Sequence, residues 1–215
     1  MIPISDENPT RNFPLITILL IGANVLIFLL ELSVRTSPQV FFTTYGLIPQ
    51  ELIRSPITAY PTIFSSMFLH SGFLHLGGNM LYLWIFGNNV EDILGKLKFI
   101  LFYLVCGTLA ALGHIATDIE SNTPMVGASG AVSGILGAYF LLFPYHRVKT
   151  LVFLGFFITI VRLPALVLLG IWMFLQVANS LAMPPGEAGV AWFAHIGGFL
   201  MGMLLIHPFR KLGPA

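Results

Sequence analysis

Residues 125–143 read MVGASGAVSGILGAYFLLF: nineteen positions without a charged side chain, with Ser129 between small residues near the start. A run of that length and apolarity fits the ~20 residues a helix needs to cross a hydrocarbon core roughly 30 Å thick. Gly130, Gly134 and Ala138 recur at every fourth position, which puts small residues on one helical face, where another membrane helix can approach closely. Five further runs of the same character flank it: Leu15–Leu32, Phe73–Val90, Phe99–Thr117, Ala165–Ala182 and Val190–Ile206. A shorter run, Leu151–Val161, would reach only ~16 Å as a helix, and is expected to be re-entrant, interfacial or packed under the bundle. The expectation is an all-α polytopic membrane protein: one domain over residues 1–215, built as a bundle of six transmembrane helices.

Composition supports this. Of 215 residues, 56% are hydrophobic and 9% charged, against roughly 25% charged in an ordinary soluble domain; the mean hydropathy is +0.88. So few charges cannot cover a soluble surface, which excludes a soluble globule, a disordered chain and a nucleic-acid binder. The lone Cys106 excludes an internal disulfide and a thiolate metal cluster. The first span reads as a retained helix, because Asp6 and Glu7 precede it beside only Arg11, and Leu32-Ser33-Val34-Arg35 offers no small-x-small cleavage site.

Six spans put both termini on one side. That side would hold Arg11, Lys96, Lys98, Arg147, Lys149, Arg162, Arg210 and Lys211, eight of the ten basic residues. The other side has Arg35 and Arg54 with Glu51, Asp118, Glu120 and Glu187. The positive-inside rule then places both termini in the cytoplasm, and the expected location is a plasma (inner) membrane. The one long connection, Ser33 to Gly72, lies on the outer side and is expected to be functional or partly structured.

Ionisable and polar residues at membrane depth are expensive, so each is a functional candidate. His75 and Asn79 lie four apart on the second span, hence on one face. Ser129 opens the fourth span and His195 lies early in the sixth. All three spans start on the outer side in this topology. At 1.5 Å per residue His75 is about 3 Å past its boundary, Asn79 about 9 Å, Ser129 about 6 Å and His195 about 8 Å. The four therefore share one depth in the outer half of the bilayer. Gly198 and Gly202 repeat the small-residue face on the sixth span, with His195 on the same side. Pressing the two glycine faces together would make Ser129 and His195 neighbours.

A hydroxyl within reach of an imidazole is the minimum unit of nucleophilic catalysis. An Asn amide and an imidazole N–H can donate to the oxyanion formed when an amide is attacked. No Asp or Glu is expected near His195, Glu31 ending the first span on the inner side, so the unit is a Ser–His dyad. Each signal has a plainer reading: glycine and serine for packing, a histidine hydrogen-bonded in the core, His75 and Asn79 as an interhelical clamp. No metal is expected, because the i,i+4 partner of His75 is Asn, and neither Cys nor carboxylate is near. No cofactor is expected either. His70 and His114 read as interfacial, His146 and His207 as structural at the inner ends of their spans.

His75-Leu-Gly-Gly-Asn79, Gly127-Ala-Ser129-Gly130 and Ala194-His195-x-Gly-Gly198 resemble the rhomboid intramembrane serine proteases in order, spacing and span count, from about Thr62 to Ile206. The resemblance implies Ser129 as nucleophile, His195 as its base, and His75 with Asn79 as oxyanion stabilisers. It implies substrates that are transmembrane helices of other proteins, met in the lipid bilayer and cleaved near the outer interface at small residues. It makes the fifth span and Met183–Gly189 a gate and cap, and the long first loop a lateral, partly embedded one. The chain departs from the family twice. No Trp-Arg pair lies between Ser33 and Gly72, and Ser133 stands where many members carry a Tyr that stacks on the catalytic histidine. A neighbour such as Phe199, or a water held by Ser133, is expected to orient His195 instead. The alternative reading is a non-proteolytic rhomboid-like protein that binds membrane helices without cutting them.

Overall fold

The structure is a computed structural model that describes residues 1–33, 37–155, 157–182 and 190–211. In chain order it comprises β1 Ile2–Asp6, α1 Leu15–Ser33, and four short helices, α2 Pro38–Tyr45, α3 Pro49–Arg54, α4 Pro56–Ala59 and α5 Pro61–Ser65. A 3₁₀ turn, Ser66–Phe68, leads to α6 Phe73–Tyr82, a π-helical stretch Leu83–Gly87 and α7 Asn88–Leu94. Then come α8 Lys96–Ile115, α9 Ser129–Leu142, β2 Arg147–Leu154, β3 Phe157–Pro164, α10 Ala165–Ala182 and α11 Trp192–Lys211.

The chain is an integral, multi-pass membrane protein, predominantly helical. Long apolar runs become helices because lipid offers no water to the backbone, and a helix satisfies its N–H and C=O groups internally. Among the described residues, four helices are long and apolar enough to cross a membrane: α1, α8, α10 and α11. The expected second span is one helical run, Phe73–Leu94, divided by the π stretch. The expected fourth span is shorter than its apolar run: α9 has 14 residues and begins at Ser129, not Met125. Residues 125–128 arrive as non-helical backbone, with Met125 bridged to Leu47. The count of six crossings is therefore not established by helix length.

Helix α9 is the centre of the bundle, buried from Ala131 to Tyr139. It packs on α11 through the glycines. A Cβ on Gly202 would collide with the Gly134 carbonyl, one on Gly198 with the Gly130 carbonyl, and one on Gly137 with the Phe199 carbonyl. On its other flank, a Cβ on Gly130 would sit 2.9 Å from Ala110 of α8. The two backbones are in contact, as the small-residue pattern anticipates.

The opposite end of the molecule is tied by carboxylates. Glu91 of α7 accepts from the Ile16 and Thr17 backbone N–H groups at 2.9 and 2.8 Å and from Thr17 Oγ1 at 2.8 Å. These donors open α1 and have no partner inside their own helix, so a carboxylate there both caps the helix and meets its positive end. Asp92 accepts from the backbone N–H groups of Arg11 and Asn12 at 3.0 and 2.9 Å, which fastens the segment ahead of α1.

Expectation and structure part at the Leu151–Val161 run. The fold is not all-α: β1, β2 and β3 form an antiparallel three-stranded sheet in that order, with Ile2 opposite Leu151 and Arg147 opposite Pro164. Val152, Ile158, Thr159, Ile160 and Val161 are β-branched, and such residues fit a strand better than a helix. The hairpin is apolar toward its tip, with Phe157 78% and Ile158 64% exposed. Arg147, Lys149 and Arg162 lie at its base, where Arg162 pairs with Glu7 at 3.1 Å. Tyr139 donates to Asp6 Oδ2 at 2.8 Å, so the N-terminal strand is anchored to α9 as well.

Because Gly202 faces backbone that cannot move aside, Gly202→Val should lower stability by about 1–3 kcal/mol, the usual cost of overpacking. Gly22→Val on α1, where a Cβ meets nothing within 4 Å, should leave the Tm nearly unchanged. Thermal unfolding of both variants in the same detergent checks the difference.

Candidate active site

Ser129 is the first residue of α9, His195 lies in the first turn of α11, and His75 and Asn79 sit on α6. The structure brings the four together: all line one cavity of about 1200 Å³, whose wall also includes Trp172 of α10 and His114 of α8. Shared depth and the glycine contact between α9 and α11 account for the meeting of Ser129 and His195 on one wall.

Gly127 sets the approach to Ser129. Its φ of 125° lies in the left-handed region that favours glycine. A Cβ there would sit 2.7 Å from Cε1 and Nε2 of His75 and 3.7 Å from Ser129 Oγ. The His75 Nε2 edge and the Ser129 hydroxyl therefore flank the same bare backbone. The Gly127 N–H donates to the Ser66 carbonyl at 2.8 Å, which fixes this turn against the first loop.

The tautomer of His75 follows from its other nitrogen. Nδ1 accepts from the Ser71 backbone N–H at 3.3 Å and lies 3.1 Å from Ser71 Oγ. An accepting Nδ1 puts the proton of the neutral ring on Nε2, the edge that faces Gly127. Asn79 spends one amide hydrogen on the His75 carbonyl at 2.9 Å and keeps the second. Both side chains thus have a donor to offer the cavity.

His195 is held from α10. Its Nδ1 lies 2.8 Å from Oε1 of Gln176, a side chain only 6% exposed. Trp172 and Trp192 flank the imidazole with ring centroids 6.0 Å away, Trp172 tilted by 33° and Trp192 edge-on at 90°. Among the described residues, no hydrogen bond joins Ser129 Oγ to His195; such bonds often tighten only when substrate is bound.

Several sequence expectations change. Phe199 is not the ring beside His195: it packs on Phe140 and on Trp172 at 5.5 and 6.0 Å. Ser133 donates to the Ser129 carbonyl at 2.6 Å, so its hydroxyl hydrogen is spent within its own helix. Glu31 is not at the far end from the site. Its carboxylate accepts from the His70 backbone N–H at 3.2 Å, and His70 is the ring next to His75, 5.0 Å away. Glu31 lies near the C-terminal end of α1, the end that meets His70 and the site. His70 is 1% exposed. Burial first, then the neighbouring His75, pushes its imidazole down to about 4, so it is neutral at pH 7. Met183–Gly189, expected as a cap, lies outside the described residues, as does Arg35.

Gln176 is the residue that sequence reading missed. It is a polar side chain at membrane depth, four positions after Trp172, and that cost of burial was the available signal.

Comparison with known proteins follows the same residues. The family model described as Rhomboid domain matches residues 58–211. Rhomboid protein 1, mitochondrial, of Saccharomyces cerevisiae is 32% identical over 174 residues, covering 76% of this chain and 45% of the yeast protein. Rhomboid protease GluP of Bacillus subtilis is 35% identical over 126 residues, covering 58% of this chain and 24% of that protein. Rhomboid-type serine protease 2 of Emericella nidulans is 31% identical over 143 residues, covering 65% of this chain and 25% of that protein. The matched chain spans less than half the length of each of these relatives. The family match runs from the short helices ahead of α6 to the end of α11 and takes in all four polar positions: the chain belongs to the rhomboid family.

Proposed function

We propose that the chain is an intramembrane serine endopeptidase that cleaves transmembrane helices of other membrane proteins near the outer interface. The observation that carries this reading is the single cavity lined by Ser129, His195, His75 and Asn79. Ser129 Oγ attacks the scissile carbonyl while His195 takes the hydroxyl proton, forming a tetrahedral oxyanion. The imidazolium then gives that proton to the leaving amine as the C–N bond breaks, and the acyl-enzyme remains. Water entering from the open cavity repeats the sequence and releases the acid.

The oxyanion would sit between Nε2–H of His75, the free amide hydrogen of Asn79 and the Ser129 backbone N–H. The last of these opens α9, so the positive end of the helix adds to it. Among the described residues, no carboxylate is hydrogen-bonded to His195; the neutral amide of Gln176 takes that place.

Substrate helices enter from the lipid. In this reading six helical runs cross the membrane, α6 to α7 counting as one, with both termini in the cytoplasm of a plasma (inner) membrane. The antiparallel pairing of β1 with β2 supports the shared side, since it joins the N-terminal strand to the basic hairpin that precedes α10. Relatives named as mitochondrial make a mitochondrial membrane the competing location.

Purified chain incubated with a labile transmembrane-helix substrate tests the reaction. Wild type should cleave it and take up a serine-directed fluorophosphonate, and Ser129→Ala should do neither. Cleavage that survives Ser129→Ala removes the assignment. Binding of the helix with neither cleavage nor labelling would make the chain a non-proteolytic member of its family.

The donors make a separate prediction. His75→Ala and Asn79→Ala should each lower kcat by ~10²–10³, with a smaller change in KM, as for loss of one oxyanion donor. If steady-state kinetics show full kcat and only the Tm falls, the pair is an interhelical clamp.

A further inference from the structure

The environment of His195 contains a polar contact that the dyad alone does not use. Gln176 lies on the buried side of α10, and its amide makes two hydrogen bonds. Nε2 donates to the Trp172 carbonyl one turn back, at 3.1 Å. Oε1 lies 2.8 Å from His195 Nδ1. The first bond settles the orientation of the amide, because a carbonyl oxygen can only accept, so the NH₂ group must face Trp172. The oxygen therefore faces His195. An amide oxygen also only accepts, so Nδ1 must carry the proton. In the neutral ring, Nε2 is then the bare nitrogen, the form that can take a proton from a hydroxyl.

We propose that Gln176 is a positioning residue for His195: it selects the Nδ1–H tautomer and holds the ring so that Nε2 serves as the base. This rests on the proposed Ser129–His195 chemistry and extends it to α10. Trp172 completes the support. Its indole lies beside the imidazole, with ring centroids 6.0 Å apart, and its carbonyl anchors the amide that meets Nδ1. The support is thus a Trp–Gln pair spaced by four on α10.

The role predicts a contrast between two substitutions. Gln176→Leu keeps the bulk of the side chain and removes the acceptor. Gln176→Glu keeps an acceptor oxygen and adds a charge. The full chain is reconstituted in liposomes with a labile transmembrane-helix substrate, and kcat, KM, Tm and the pH profile are measured for each. Gln176→Leu should lower kcat by about 10–100-fold, by analogy with the loss of the outer hydrogen-bond partner of a metal-bound histidine. Fluorophosphonate labelling of Ser129 should slow in step.

Gln176→Glu should recover most of the kcat, with the acidic limb of the profile moved to higher pH, because a carboxylate partner favours the imidazolium. His75 and His114, the other titratable groups near His195 among the described residues, are the same in both variants. Wild-type kcat in Gln176→Leu overturns the proposal. So do equal losses in both variants accompanied by equal falls in Tm, which would mark a packing role. Ser129→Ala, run alongside, separates the two layers: cleavage without Ser129 defeats the dyad itself. A dead Ser129→Ala with an unimpaired Gln176→Leu defeats only the role of Gln176.

Discussion

Backbone contact between α9 and α11 is the constraint on which the molecule depends. Gly134 and Gly202, then Gly130 and Gly198, leave no room for a single methyl group, and the two helices meet carbonyl to Cα. In lipid there is no hydrophobic force to bring helices together, so close packing of such faces supplies much of the association. The same contact aligns the first turns of both helices. A hydroxyl on one and an imidazole on the other therefore share a cavity wall because of glycines several residues deeper in the bundle.

Around that contact, polar groups are arranged by bonds to their unused atoms. Ser71 occupies Nδ1 of His75, the His75 carbonyl takes one hydrogen of Asn79, and Gln176 occupies Nδ1 of His195. Each bond fixes which atom remains for the cavity. Helix α10 has two duties in this arrangement. It lines the cavity through Trp172 and Ser180, and it carries the amide oxygen that meets His195.

Much of this was legible in the amino-acid sequence. Ser129, His195, His75 and Asn79 stood out because polar groups in lipid are costly, and the glycine spacing foretold which helices touch. The illegible parts have physical reasons. The strands β2 and β3 lie in an apolar run too short to span, and apolarity alone does not separate a buried helix from a hairpin. The short α9 reflects backbone at Gly127 that stays non-helical to line a cavity, which hydropathy does not register. Gln176 escaped notice because its partner is nineteen positions away, on another helix. Glu31 was misplaced because the sequence does not show that the end of α1 folds against the turn carrying His70.

The π stretch Leu83–Gly87 has a consequence for how this chain tolerates changes of length. A π segment carries one residue more than the α-helix that would fill the same path, and such segments recur at functional sites. Below it, Glu91 locks α7 to the start of α1; above it, α6 presents His75 and Asn79. Removing one residue from Leu83–Gly87 would let the run close into a continuous α-helix. A π turn spreads one extra residue over about the rotation that the α-helix makes without it, so α6 would keep nearly the same facing relative to α7. His75 and Asn79 would still line the cavity, and the change would fall on the packing of Leu83–Gly87 itself. The π stretch thus acts as a slack element: it takes up one residue of length without disturbing the frame in which two distant donors share a wall with one serine.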